Sequence, residues 1–258
     1  MSIELRREGS VGVILLNRPP ANTYDYDFLR ELGSAIDELR VDEEARAAVL
    51  ASASDRFFSG GADLGAFAAG SQRRRAMTAL LGNEVFRKLE ATPMVFVAAI
   101  AGHALGGGLE LAMACDLRFA ARGDYRLGLT ETNLGLFPGT GGTQRLPRLV
   151  GLSRGIDLIA SGSTFGPEQA LEYGLVDRLF EDAASCLEEA KAYAARLAEG
   201  PAEAIGRAKV AAQMGYGAPL DLGLAIEREA IAHIFRTGDA EEGITAFLEK
   251  RKPTYRGQ

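Results

Sequence analysis

Apolar positions along the chain run in two rhythms. In the first half they form short blocks separated by helix-spaced stretches. "VGVILLN" (Val11–Asn17) is apolar and rich in β-branched residues, so it predicts a strand, and "RPPAN" breaks it. Leu29, Leu32, Ile36 and Leu39 then recur at helical spacing and predict a helix over Tyr26–Arg40. Ala47–Ala53 and Met94–Ile100, the latter introduced by Pro93, predict buried strands, with a helix over Arg74–Leu89 between them. Leu117–Ala121 and Tyr125–Leu129 predict two more short strands.

From about residue 139 the pattern becomes helical: Gly142–Val150, Ser153–Ala160, Pro167–Tyr173, Ala183–Leu197, Ala202–Gln213, Leu220–Arg236 and Ala240–Lys250. Only Leu175–Phe180 interrupts as a strand-like run. Blocks of this kind predict an α/β core followed by a helical C-terminal part. No Ser/Gly-rich linker, low-complexity tract or fixed-period repeat divides the chain.

Composition narrows the classes. The chain has 258 residues, 47% hydrophobic and 25% charged, which suits a globular protein with a sizeable core. A net charge of −6 argues against a general nucleic-acid or acidic-membrane surface, so no nucleic-acid or membrane partner is expected. Two cysteines, Cys115 and Cys186, make no disulfide framework and suit a reducing compartment. The N-terminus is charged throughout and reads as no signal or transit peptide, and no run of about 18 apolar residues occurs. A cytoplasmic location is the expectation.

Several motif matches fail on context. "GLSRG" (Gly151–Gly155) fits a nucleophile elbow, but "TQRLPRLV" before it carries no strand signal. Only His103 and His233 could complete a triad. "GTGGTQ" (Gly139–Gln144) begins like a dinucleotide fingerprint and ends on Gln where glycine is needed. No Walker loop and no zinc-like spacing is present, so no metal is expected. His103, just before a glycine run, reads as a structural histidine.

Three stretches remain: "FFSGGADL" (Phe57–Leu64), "AGHALGGGLELAMACD" (Ala101–Asp116) and "ETNLGLFPGTGGTQRL" (Glu131–Leu146). Each joins glycine-rich backbone to an acid or a helix start. Glycines let backbone N–H groups approach a ligand, and helix N-termini present unpaired N–H groups with positive potential. One such cluster alone is a tight turn or a packing contact. The second, however, carries Glu110 among Leu109, Leu111, Ala112, Met113 and Ala114, where an isolated charge is costly. Glu131 follows 21 residues later. Without further context, Glu110 is a paired core acid and Glu131 a cap or turn acid.

With "LNRP" near the start and "GITAFLEKRKPTY" at the end, these stretches stand in the order and approximate spacing of the crotonase, or enoyl-CoA hydratase/isomerase, superfamily, which the chain resembles from about Val11 to Tyr255. The resemblance implies a crotonase-like core of repeated ββα units over residues 1–195 and a helical trimerisation region over 196–258, with homotrimers or hexamers built as dimers of trimers. It implies an acyl-CoA thioester substrate, coenzyme A being part of the substrate and no separate cofactor being needed. By motif match the backbone N–H groups of Ala62 and Gly107 form an oxyanion hole for the thioester oxygen. Such fixed dipoles stabilise enolate-like charge without reorganising.

Having both glutamates favours reversible syn hydration of a 2-enoyl-CoA. The resemblance implies that Glu110 and Glu131, assisted by the N–H of Gly139, which matches a family glycine, hold a water. Glu110 takes its proton as hydroxyl adds to C3, and protonated Glu131 delivers a proton to C2. An apolar site helps keep one carboxyl protonated. The family positions near CoA phosphate and adenine match Lys250 and Phe247, while "RRR" (Arg73–Arg75) has no assigned role. Tyr24, Asp25, Tyr26 and Asp27 depart from the family's usual Ala-Leu-Asn-Ala-like stretch, which leaves the acyl group open. Two other readings stand beside hydration: an enoyl-CoA isomerase with Glu131 as proton shuttle, and a non-catalytic acyl-CoA-binding scaffold.

Overall fold

The computed structural model describes residues 1–257. A six-stranded sheet is built from β1 (Ile3–Glu8), β2 (Val11–Leu16), β3 (Ala47–Ser52), β5 (Val95–Ile100), β7 (Leu117–Ala121) and β9 (Arg178–Phe180), in that order. Strands β2 to β9 run parallel, and β1 pairs antiparallel with β2 at the edge. Burial on both faces explains why β3 and β5 read as unbroken apolar runs. Leu50, Phe96, Ala98 and Ile100 face a core shared with α1 (Tyr26–Val41), α3 (Gln72–Ala91) and α4 (Gly107–Ala114). Val49, Val97, Ala99 and Phe119 face α8 (Ala183–Ala198), which presents Cys186, Ala190, Ala194 and Ala198 at four-residue intervals. That small-residue stripe lets the helix lie close to the sheet.

A second, three-stranded parallel sheet comprises β4 (Phe57–Ser59), β6 (His103–Leu105) and β8 (Leu127–Gly128). Each of its strands directly follows a strand of the large sheet: β3 leads to β4, β5 to β6, β7 to β8. These are the expected repeated ββα units, interleaved so that successive strands alternate between sheets. The expected strand at Tyr125–Leu129 shrinks to β8, and Leu175–Phe180 to β9. His103 is structural, as expected: its Nδ1 accepts from the Arg126 N–H at 3.0 Å.

The remaining helices are α2 (Leu64–Ala69), α5 (Gly142–Val150), α6 (Leu152–Ser161), α7 (Pro167–Glu172), α9 (Ala202–Gly215), α10 (Leu220–Ile234) and α11 (Gly238–Glu249). Ser153 of the rejected nucleophile motif lies exposed in α6. The expected division at 195/196 falls in the last turn of α8, whose Ala198 still packs on the large sheet. Beyond it α9 and α10 form a helical hairpin. Lys209 of α9 fastens this hairpin to the core, donating to the carbonyls of Leu89 at 2.5 Å and Met94 at 2.7 Å and pairing with Asp116 at 2.9 Å. Met214, Tyr216, Leu220, Leu222, Ile231 and Phe235 of the same region are exposed. No described helix is long and apolar enough to cross a membrane.

The Lys209 and Asp116 side chains are only 6% and 11% exposed, so removing one strands the other charge. Lys209→Ala is expected to cost about 3–5 kcal/mol of stability, read as a lower denaturant midpoint. Burial already holds the Asp116 pKa above the usual carboxylate range, so the loss should shrink in acid, where a stranded Asp116 takes up a proton. An unchanged midpoint at neutral pH would show the pair to be dispensable.

Candidate active site

Three turns leave the small sheet at the carboxyl ends of its parallel strands, the edge where α/β folds place ligands. After β4 the chain passes Gly60 and Gly61 to Ala62. Here Tyr24 bridges in parallel: its N–H donates to the Gly61 carbonyl at 2.8 Å and its carbonyl accepts from the Asp63 N–H at 2.8 Å. The intervening Ala62 N–H has no acceptor among the described residues. After β6, Gly106 adopts φ +51°, which favours glycine, and its N–H donates to the Gly128 carbonyl of β8 at 2.8 Å. Helix α4 starts at the next residue, so the Gly107 N–H is an unpaired helix-start donor. A Cβ built on Gly61 would stand 3.0 Å from that nitrogen, which places the two turns side by side. A Cβ on Gly108 would stand 2.1 Å from the Ser59 carbonyl oxygen, so glycine there lets α4 lie directly on β4.

Glu110, in the first turn of α4, is 1% exposed. Its Oε1 accepts from the backbone N–H groups of Thr140 at 2.8 Å and Gly142 at 2.7 Å, and Oε2 accepts from the Thr140 hydroxyl. Gly142 opens α5, so the carboxylate sits at a helix N-terminus, where N–H groups and dipole both favour negative charge. Burial raises the Glu110 pKa above the usual range, while these donors and the nearby Arg145 pull it back.

Glu131 opens a short 3-10 turn (Glu131–Leu134) just after β8. Its carboxyl group points at α4: a Cβ on Gly106 would lie 3.0 Å from its Oε1. Oε2 is buried without a hydrogen-bond partner among the described residues. Burial, then the charge of Glu110, push its pKa up to about 7. Two neighbouring carboxyls thus stand in opposite surroundings, one held by three donors and one with a buried oxygen that has none.

Of the anticipated residues, Ala62, Gly107, Glu110 and Glu131 come together. Gly139 is exposed at the start of the turn before α5 and makes no hydrogen bond to either glutamate. Phe247 and Lys250 lie at the end of α11, Phe247 82% exposed and Lys250 the helix's left-handed cap at φ +55°. No hydrogen bond or ion pair joins their side chains to the turns bearing the glutamates. No cluster of three or more His, Cys, Asp or Glu suited to a metal ion occurs among the described residues.

Thr140 and Gly142 hold Glu110 and were not anticipated; the signal available was a buried glutamate in need of donors and a glycine-rich helix start downstream. The unusual Tyr24–Asp27 stretch divides its roles. Tyr24 is 4% exposed, its ring edge-on to Phe86 and its hydroxyl over Gly107, where a Cβ would come within 2.0 Å of the oxygen. Burial and the charges of both glutamates hold its phenol above the usual range. Asp25 caps α1 through the Phe28 N–H at 3.0 Å and pairs with Arg18 at 2.7 Å, which lowers its pKa to about 2. Tyr26 is exposed beneath the guanidinium groups of Arg30 and Arg74.

Interleaved parallel sheets with helix-start amides and paired carboxyls at their carboxyl edge define a crotonase-fold protein. The family described as enoyl-CoA hydratase/isomerase matches residues 6–258. A probable enoyl-CoA hydratase of Bacillus subtilis is 39% identical over 258 residues, covering 100% of this chain and 99% of its own. A short-chain-enoyl-CoA hydratase of Clostridium acetobutylicum is 38% identical over 97% of this chain and 96% of its own. The crystal structure of an enoyl-CoA hydratase from Bacillus anthracis superposes with a TM-score of 0.95 at 36% identity, covering all of both chains. The chain belongs to the enoyl-CoA hydratase/isomerase family.

The pKa of Glu131 yields a signed expectation. Raised from 4.5 to about 7, it favours the protonated folded state, so its contribution to stability is full below the ordinary carboxylate pKa and is lost as pH rises towards 7. A protonated-carboxyl infrared band, assigned by its absence in Glu131→Gln, should bleach with a midpoint near 7. In Glu110→Gln the midpoint should fall, because the neighbouring charge is gone. A wild-type midpoint in the ordinary carboxylate range would refute this account.

Proposed function

We propose that the protein catalyses the reversible syn hydration of a 2-enoyl-CoA thioester to a 3-hydroxyacyl-CoA. That it is an enoyl-CoA hydratase enzyme rests on full-length relatives of that name. The observation that carries the mechanism is the contrast between the two carboxyls: Glu110 buried and held by three donors, Glu131 half-buried with its Oε2 unpartnered. The free N–H groups of Ala62 and Gly107 receive the thioester oxygen. Glu110 and Glu131 hold water, aided by the Gly139 N–H. As the water oxygen bonds to C3, Glu110 takes its proton and the alkene electrons move towards the thioester oxygen. The bare, protonated Glu131 gives its proton to C2, and the oxyanion charge returns to the carbonyl. Dehydration runs the same transfers backwards. The two carboxyls titrate as a coupled pair.

Lys250 and Phe247 are assigned to CoA phosphate and adenine. They face solvent on α11, as a large, mostly extended ligand requires. The exposed apolar residues of α9 and α10 support a trimer, or a hexamer of paired trimers, built on the region after α8.

One observation favours a second reading. The hydrogen bonds of Glu110 go to the start of α5, as they would for a purely structural anion. Glu131 would then work alone, as in an enoyl-CoA isomerase. Turnover of crotonyl-CoA and of a 3-enoyl-CoA by wild type, Glu110→Gln and Glu131→Gln separates the two. Hydration should fall about 100- to 10,000-fold in both variants. Full hydration by Glu110→Gln would sink the two-glutamate mechanism. Isomerisation without hydration would establish the rival, and CoA binding without turnover of any thioester would leave a scaffold.

A further inference from the structure

We propose that Arg145, anchored by Glu90, is a positioning residue for Glu110. The proposal rests on the reading that Glu110 takes part in the reaction. Thr140 works in two directions. Inward, its N–H and hydroxyl bind the Glu110 carboxylate. Outward, its carbonyl accepts from Arg145 Nη1 at 2.8 Å. The same guanidinium is clamped from its other side: Nε and Nη2 donate to the two oxygens of Glu90, at 2.6 and 2.9 Å. Both side chains are largely buried, Arg145 14% and Glu90 12% exposed. A bidentate arginine–carboxylate pair fixes direction as well as distance. Glu90 lies near the end of α3, a long helix that packs on α1 and α4 and buries Val85, Phe86 and Leu89, so the anchor belongs to the core.

The turn needs such a clamp. Gly141 sits at φ +117°, in the region that favours glycine, and glycine leaves the Thr140–Gly141 peptide free to rotate. A Cβ at 141 would fall 1.8 Å from Arg145 Nη1, so the guanidinium occupies the space a side chain would take. Holding the Thr140 carbonyl outward selects the peptide orientation in which Thr140 and Gly142 aim their donors at Glu110. Without it, Glu110 keeps its burial and loses the direction of its partners. Its other neighbours act elsewhere: Tyr24 meets the Thr140 side chain rather than its carbonyl, and Glu131 comes from the turn after β8. Of the other cations near Glu90, Arg87 is half exposed and pairs with Glu90 alone, and Lys209 pairs with Asp116.

The test compares wild type, Arg145→Gln, Arg145→Lys, Glu90→Gln and Glu110→Gln in crotonyl-CoA hydration, with thermal melting as a check on folding. Arg145→Gln should lose about 10- to 100-fold in kcat with KM nearly unchanged, because misplacing a reacting group slows chemistry more than binding. The acidic limb of its kcat–pH profile should move to higher pH, since a positive charge that favours ionised Glu110 has gone. Arg145→Lys should keep the position of that limb while losing rate, and added guanidinium ion should restore part of the activity of Arg145→Gln. Should Arg145→Gln not fold, Glu90→Gln gives the same test, with a smaller kcat loss expected. A folded Arg145→Gln with wild-type kcat and pH profile, beside an inactive Glu110→Gln, would overturn the proposal and leave the two-glutamate reading standing. A loss carried mainly by KM with an unmoved profile would also overturn it. Full hydration by Glu110→Gln would overturn both.

Discussion

The arrangement depends on keeping the Glu110 carboxylate out of water. An ionised carboxylate in an apolar helix is tolerable only if its oxygens find donors. They find them at the start of α5, which must therefore arrive beside α4 with Thr140 and Gly142 facing inward. That arrival explains the glycine turn before α5 and the left-handed Gly141 within it. It also sets the state of the second carboxyl, because a charge on Glu110 is one of the forces that keep Glu131 protonated. One buried charge thus links two helices, a turn and the acidity of its neighbour.

The large sheet was legible because its central strands are covered on both faces, and double burial writes itself as short unbroken apolar runs. The predicted strands at Val11–Asn17, Ala47–Ala53 and Met94–Ile100 match β2, β3 and β5 to within a residue. Strand β1 was hidden for the opposite reason. It lies at the sheet edge, where Glu4, Arg6, Arg7 and Glu8 reach water and mask the buried Ile3 and half-buried Leu5. Strands β4 and β6 were hidden by length, since three residues cannot display a period. The ββα repeat is likewise a repeat of backbone path. The units differ in length and in the helices that follow each strand pair, so no residue recurs at a fixed interval.

At the site, the legible residues were those whose chemistry is unusual for their place: a glutamate in an apolar helix, glycines opening that helix, and a second acid downstream. What was illegible was the set of partners. Thr140 donates through its backbone and a common hydroxyl, and neither is distinctive in sequence. Tyr24 stood out as a departure, but only the fold shows its ring over Gly107 while its neighbour Asp25 serves as a helix cap. Phe247 and Lys250 are joined to the glutamate-bearing turns by no contact that would have marked them without the motif.

The difference in surroundings between the two carboxyls comes largely from backbone, through the N–H groups that Glu110 finds and Glu131 does not. Both are glutamates, and both approach the same glycine-rich helix start. Burial raises the pKa of both, and Glu110 differs in that the donors at the start of α5 pull it back. Glu131 resists ionisation because its side chain turns back against Gly106, whose missing Cβ leaves room for a carboxyl but offers it no donor. Exchanging surrounding apolar side chains would change how far burial raises both pKa values, while leaving the contrast in hydrogen-bond donors in place. Moving the start of α5, or closing the space above Gly106, would erase it. The fold thus sets the surroundings of the pair, and Tyr24 packs its ring and hydroxyl against the same helix start.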